Sequence, residues 1–180
     1  MSSSRVGLLL LYLSVWQPLA AAQPSGHPLS PLPAGGFRFD GTWDCTGTFR
    51  NGEIHKAVFT GTMILDGKWL ELTEHDVSPA TGYLAKYLIG YDPQAKHLVE
   101  FDANNFGAAT YTSDEEGWRN GVLVMNSAVS TDEKAPYAVN RFVYSVADKD
   151  TFTVDWEISK TNTLNWMRSD HLICVRRLQK

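Results

Sequence analysis

Hydrophobic and polar residues alternate along this chain with a period of two over most of its length. The clearest run is Thr151–Ser159, where Phe152, Val154, Trp156 and Ile158 alternate with Thr153, Asp155 and Glu157. That is the pattern of a strand with one face buried. Read the same way, strands are expected at Arg38–Phe49, Glu53–Leu65, Lys68–Val77, Tyr83–Tyr91, Lys96–Asn104, Gly107–Ser113, Gly121–Ser130, Val139–Ala147, Thr151–Ser159 and Ser169–Leu178. Turn formers separate them. Asn51-Gly52 and Asp66-Gly67 read as two-residue hairpin turns in which glycine takes the positive φ. Asp92-Pro93 ends a strand because proline cannot donate to a ladder. No segment shows the spacing of an amphipathic helix. About ten short strands with short connections predict an all-β protein, a closed or nearly closed up-and-down antiparallel barrel. A β-sandwich competes, but its Greek-key order needs longer crossovers than the chain offers.

The chain's two cysteines stand in the first and last of these strands, at Cys45 and Cys174. If they pair across neighbouring antiparallel strands, the first strand meets the last and the sheet loses its edges. Arg176 then falls opposite Trp43, where its guanidinium can stack on the indole and plug one end of the barrel. The competing arrangement is two unpaired buried thiols. A disulfide requires an oxidising compartment, and the N-terminus reads as a route to one. Met1–Arg5 carries one positive charge, Val6–Val15 is an apolar run, and Ala20–Ala22 supplies small residues for cleavage. The run is shorter than the roughly 20 residues that span a bilayer. Residues 1–22 are therefore expected to be a secretory signal peptide, with no stable membrane span after cleavage; an uncleaved anchor is the alternative. Residues 23–36, with Pro24, Pro28, Pro31 and Pro33, are expected to form a flexible linker, and residues 37–180 the barrel domain. The expected location is the bacterial periplasm or the exterior.

Composition narrows the function classes. In 180 residues there are 16 Lys and Arg against 20 Asp and Glu, a net charge of −4, which argues against a nucleic-acid partner. Nothing in the pattern sets an oligomeric state. No nucleophile elbow, phosphate-binding loop or dinucleotide fingerprint occurs.

Short motifs carry a family resemblance. Gly41-Thr42-Trp43 at the first strand, with Arg176 on the last, resembles the closure of calycin barrels, the lipocalins and their relatives. Gly67-Lys68-Trp69-Leu70-Glu71 and Ile89-Gly90-Tyr91-Asp92, followed by Lys96 and Asp102, are similar to the uncharacterised bacterial calycin-like family of secreted barrels. The match covers Gly41 to Arg177. It implies a barrel with a cavity and no agreed activity. A distant branch, the nitrobindins, holds haem through a histidine near the C-terminus. Here His171 lies three residues from Cys174 and so points to the opposite face. It reads as a surface histidine, and no cofactor is expected.

Hairpin register extends the facing set. A two-residue turn at Asn51-Gly52 places Cys45 opposite Val58 and Trp43 opposite Thr60. The next turn places Thr60 opposite Thr73, Val58 opposite His75 and Thr62 opposite Glu71. With Trp43 inward, the cavity wall carries Val58, Thr60, Thr62, Trp69, Glu71, Thr73 and His75. The opposite side then carries Phe59, Met63, Leu70 and Leu72, apolar for a solvent face, and a single β-bulge would exchange the two. The ligand-binding candidates on this reading are Glu71, Thr73, His75, Tyr87, Phe101, Asp102 and Trp156. Glu71 and His75 are roughly 13 Å apart by strand rise and cannot share a proton. An acid–base pair would need Tyr87 or Asp102 from a neighbouring strand. Residues 71–76 point alternately to opposite faces, so no metal site is expected there. The Asn104-Asn105-Phe106-Gly107 turn is a candidate rim of the barrel mouth. The favoured function is a binding protein for a small apolar or amphipathic ligand. A packed structural or interaction barrel, and an enzyme built on Glu71, His75, Tyr87 and Asp102, are the alternatives.

Overall fold

A computed structural model describes residues 28–161 and 165–178. The expected signal peptide at 1–22 and the first five residues of the expected linker lie outside the described residues. Each alternating segment forms a strand: β1 (Gly41–Phe49), β2 (Ile54–Ile64), β3 (Trp69–Ser78), β4 (Leu84–Asp92), β5 (His97–Asn104), β6 (Gly107–Thr112), β7 (Val122–Ser127), β8 (Val139–Asp148), β9 (Thr151–Ser159) and β10 (Met167–Arg176). Every strand is antiparallel to its sequence neighbour, and β1 pairs with β10, so the sheet is a closed up-and-down barrel. Among the described residues no helix is long and apolar enough to cross a membrane.

The closing seam has the expected register. Cys45 faces Cys174 and the two form a disulfide; Trp43 faces Arg176. Both cysteines and Trp43 are buried. Arg176 holds its guanidinium 4.1 Å over the Trp43 ring. It also donates to the carbonyls of Asp40 and Arg38, each at 2.6 Å, and to Asp150 Oδ1 at 3.1 Å. Residues 28–36, expected as part of a spacer, lie against this end of the barrel. Pro31 and Pro33 are buried, Leu29 and Leu32 pack on the core, and Trp118 donates its indole N–H to the Pro31 carbonyl. Phe37, Phe39, Trp43 and Phe152 complete the plug, with ring centroids of neighbouring pairs at 4.8 to 6.3 Å. The segment crosses β2 at Gly61, where an added Cβ would lie 2.1 Å from the Phe39 carbonyl oxygen. Only a residue without a side chain admits that approach.

Arg176→Ala removes the cation–π contact and four hydrogen bonds at once, the fourth to the Lys149 carbonyl. It is expected to lower the unfolding free energy by about 2–3 kcal/mol, because the carbonyls it caps lose a charged donor. Thermal melting of the variant checks this, and a midpoint equal to wild type would refute it. The opposite end of the barrel should be unaffected.

The first hairpin departs from expectation, and the departure reverses the faces of two strands. Its loop has three residues, Arg50, Asn51 and Gly52, closed by Phe49 N–H donating to Glu53 O and Gly52 N–H donating to Phe49 O, both at 2.9 Å. Gly52 sits at φ +85°, as a three-residue hairpin loop with a left-handed last position requires. Cys45 consequently faces Ala57 and Trp43 faces Phe59, one residue away from the expected Val58 and Thr60. A one-residue slip turns every side chain of the strand over. The second hairpin keeps its expected register, with Thr60 opposite Thr73, Val58 opposite His75 and Thr62 opposite Glu71, so it passes the reversal on to β3. The interior therefore receives His55, Ala57 and Phe59 from β2, and Leu70, Leu72, Glu74 and Asp76 from β3, all buried. Phe59, Leu70 and Leu72, which looked too apolar for a solvent face, are core.

Candidate functional site

The barrel is packed solid at the Arg176 end and hollow at the other. Where β1, β3 and β5 finish and β2, β4 and β10 begin, their inner side chains enclose a cavity of about 590 Å³. Its rim includes the Asn104–Gly107 turn, as expected: Asn104, Phe106 and Gly107 line it. That rim is tied to the start of β4 by Asn105, which accepts from Leu84 N–H and donates to the Gly82 carbonyl. Phe106, 74 % exposed, stacks on Tyr83.

Of the sequence-derived candidates, Tyr87, Asp102 and Trp156 line the cavity. Tyr87 and Asp102 sit opposite each other on β4 and β5. Glu71, Thr73 and His75 do not line it; the first-hairpin register places them on the outer face of β3. Glu71 there pairs with Lys86 at 3.1 Å, and His75 is exposed. Phe101 is also outside, 46 % exposed and stacked on Trp69, because it alternates with the buried Glu100 and Asp102. His171 points outward as expected, and bonds Asp155 Oδ1 through Nδ1 at 2.7 Å.

The residues that occupy the site in place of the outer three are His55, Glu74, Asp76 and Asp170. A bulge between Arg168 and Asp170 on β10 adjusts the register there, and Asp170 reaches His55 past the end of β1, the strand between them. The His55 ring stacks on Phe49, centroids 4.3 Å apart. Its Nε2 lies 2.9 Å from Asp76 Oδ1, and its Nδ1 lies 2.9 Å from Asp170 Oδ2. The Thr81 hydroxyl donates to the other Asp76 oxygen at 2.7 Å. Burial alone would drive the imidazole toward neutrality. The hydrogen bonds and charges of Asp170 and Asp76 overcome it and hold the His55 pKa at about 9. His55 is thus an imidazolium at neutral pH with both N–H groups donating. It has no lone pair with which to act as a general base.

Beside this triad, Tyr87 donates its hydroxyl to Glu74 Oε2 at 2.5 Å, and the Tyr83 hydroxyl lies 3.2 Å from that of Tyr87. Burial pushes the Glu74 pKa up to about 8, against the Tyr87 bond that favours its charged form. Burial also raises Asp102, whose described partner is the amide of Asn104 at 3.1 Å. Below the cavity floor Glu100 is fully buried with Tyr144 donating to it at 3.0 Å. Burial pushes it up to about 8 as well, and its Oε1 has no hydrogen-bond partner.

Candidate ligand atoms of His55, Glu74 and Asp76 lie within 4.8 Å of one another. Residues 71–76 alternate between the two faces as expected, and of their carboxylates Glu74 and Asp76 come near His55 of the neighbouring strand; a divalent ion there would first have to displace the Nε2 proton. Sequence reasoning missed that histidine because it worked in the wrong phase. The signal was present in the run His55, Ala57, Phe59, which alternates with Lys56, Val58 and Thr60. No protein-family model matches this chain, and no curated protein matches it.

Proposed function

We propose that the protein is an exported calycin-like barrel that binds a small amphipathic molecule in the cavity at its open end. The observation that carries this reading is the contrast between the two halves of one interior. The Arg176 end is filled by aromatic rings and sealed by residues 31–40. The other end keeps a volume of about 590 Å³, within the range of small-molecule sites. Its wall combines aromatic rings with a few convergent polar groups, the usual composition of such a site. A barrel built only as a scaffold gains nothing from that void, since unfilled interior costs dispersion contacts. The Cys45–Cys174 disulfide supports an oxidising, extracytoplasmic location, in line with the signal-like residues 1–22.

The test is native mass spectrometry of mature, disulfide-bonded protein beside its denatured spectrum. A mass increment of a few hundred daltons present only in the native spectrum is expected. Ala109→Trp, which adds an indole to the cavity wall, should abolish the increment while the barrel still melts cooperatively. An increment of unchanged intensity in that variant would place the ligand elsewhere and overturn the reading.

A further inference from the structure

The charge of the cavity wall narrows the class of ligand, on the premise that the cavity is the binding site. Four carboxyl groups line it, Glu74, Asp76, Asp102 and Asp170, against one basic group, His55. That one positive charge is committed, because Asp76 and Asp170 each hold one of its nitrogens at 2.9 Å. Glu74 and Asp102 have no cationic side chain within ion-pair distance among the described residues. The basic residues of the surrounding strands are used outside: Lys86 on Glu71, Arg141 on Glu157, Arg168 on Asp155. Tyr87 lies between these two carboxyl groups, bonded to Glu74 and opposite Asp102 in the register. Around them stand Tyr83, Tyr111, Phe142, Tyr137 and Trp156.

We infer that the ligand is a small organic cation, an amine or quaternary ammonium on an apolar body, with its charge toward Glu74 and Asp102 and its body against the aromatic wall. Three physical arguments converge. A carboxylate ligand would enter a wall of four carboxyl groups with no free basic partner, and desolvating it there is prohibitive. A neutral apolar ligand would strip water from Glu74 and Asp102 and return nothing. A cation supplies the missing countercharge, and ring faces attract it through their quadrupoles. Burial pushes both carboxyls upward, so an arriving positive charge has to shift them toward their ionised form and its binding releases protons. Asp76, Asp170, His55, Tyr83, Tyr87, Glu100, Tyr111 and Tyr144 are other titratable groups that interact with them.

Three probes sharing a phenyl body separate the cases by calorimetry at neutral pH on metal-free, disulfide-bonded protein: 2-phenylethylamine, 2-phenylethanol and 3-phenylpropionate. The amine is expected to bind at least about tenfold more tightly than the alcohol, the carboxylate not at all, and the amine's affinity to fall with added salt. Asp102→Asn should reduce amine binding by about tenfold and leave the alcohol unchanged. Glu74→Gln serves as the second variant should the first fold poorly. Alcohol or carboxylate binding as tight as the amine would overturn the cationic class while leaving the cavity as a binding site. Absence of amine binding up to about 5 mM would overturn it as well, whatever native mass increment is seen. An increment identified as a neutral or acidic compound would do the same and spare the cavity reading.

Discussion

Replacing Cys45 and Cys174 together by alanine is expected to lower the unfolding free energy by about 4–5 kcal/mol. The bond joins residues 129 positions apart, so its loop encloses almost the entire barrel. In the unfolded chain a closure of that length removes a large share of conformational freedom, and the entropic cost grows with the logarithm of the loop. The bond also lies in the seam that turns an open sheet into a closed one. Without it, β1 and β10 depend on backbone hydrogen bonds, the plug at Arg176 and the Arg177–Asp44 pair. Both sulfurs are buried, so a reductant acts slowly on the folded protein and fast on the unfolded one. Denaturant unfolding of the double alanine variant, and of wild type refolded under reductant, measures the effect. A loss below about 1 kcal/mol would mean that the strand pairing alone closes the barrel.

Stability is expected to decline by several kcal/mol from about pH 5 to about pH 9. Three interior groups set the sign. Glu74 and Glu100 are raised from 4.5 to about 8 in the folded state, and His55 from 6.5 to about 9. Below the unfolded value both states hold the proton and the contribution to stability is complete. Between the two values the unfolded chain releases protons that the barrel retains, so stability drains away until the folded pKa is passed. For the glutamates that window runs from 4.5 to about 8; for His55 it runs from 6.5 to about 9. Asp102, raised by burial, acts in the same direction. Tyr87 and Tyr144, held far above the ordinary tyrosine range by burial, extend the trend to strong alkali. Asp40 and Asp44 oppose it, since both are lowered, but their contribution is lost below about pH 4 and leaves the alkaline limb alone. Denaturation midpoints across this range check the slope. Glu100→Gln removes one titrating group that does not itself line the cavity, and should flatten the decline between pH 5 and 8. A midpoint rising from pH 5 to pH 9 would show that these groups are ionised inside the barrel.

Much of the fold could be read along the chain. Strict alternation in Phe152, Val154, Trp156 and Ile158 needs a strand, and turn chemistry recurring between short strands needs a meander. One covalent constraint then sets the seam: Cys45 on Cys174 forces Trp43 onto Arg176, with no further information. The site was less legible. A two-residue first hairpin would put Glu71 and His75 inside, yet β3 turns them outward and buries Glu74 and Asp76. Tyr87, Asp102 and Trp156 do line the cavity, whereas Phe101, named beside Asp102, lies outside because neighbours on a strand face opposite ways.

The difference comes down to one residue of loop. Arg50-Asn51-Gly52 closes as a three-residue hairpin, held by Phe49 and Glu53, and a two-residue turn at Asn51-Gly52 is equally consistent with the residues themselves. Local chemistry favours both, and the choice belongs to the core: only the longer loop puts Phe59, Leu70 and Leu72 inside and Thr60, Thr62 and Thr73 outside. The amino-acid sequence by itself determined an all-β chain of ten strands and the register of its closing seam, because alternation is local and a disulfide is a fixed distance. Which face became the interior, and hence that His55, Asp76 and Asp170 meet at one open end beside Glu74 and Asp102, was decided by tertiary packing. A strand's two faces are related by a shift of a single residue, and the difference in buried apolar surface between those two registers is a property of the whole barrel.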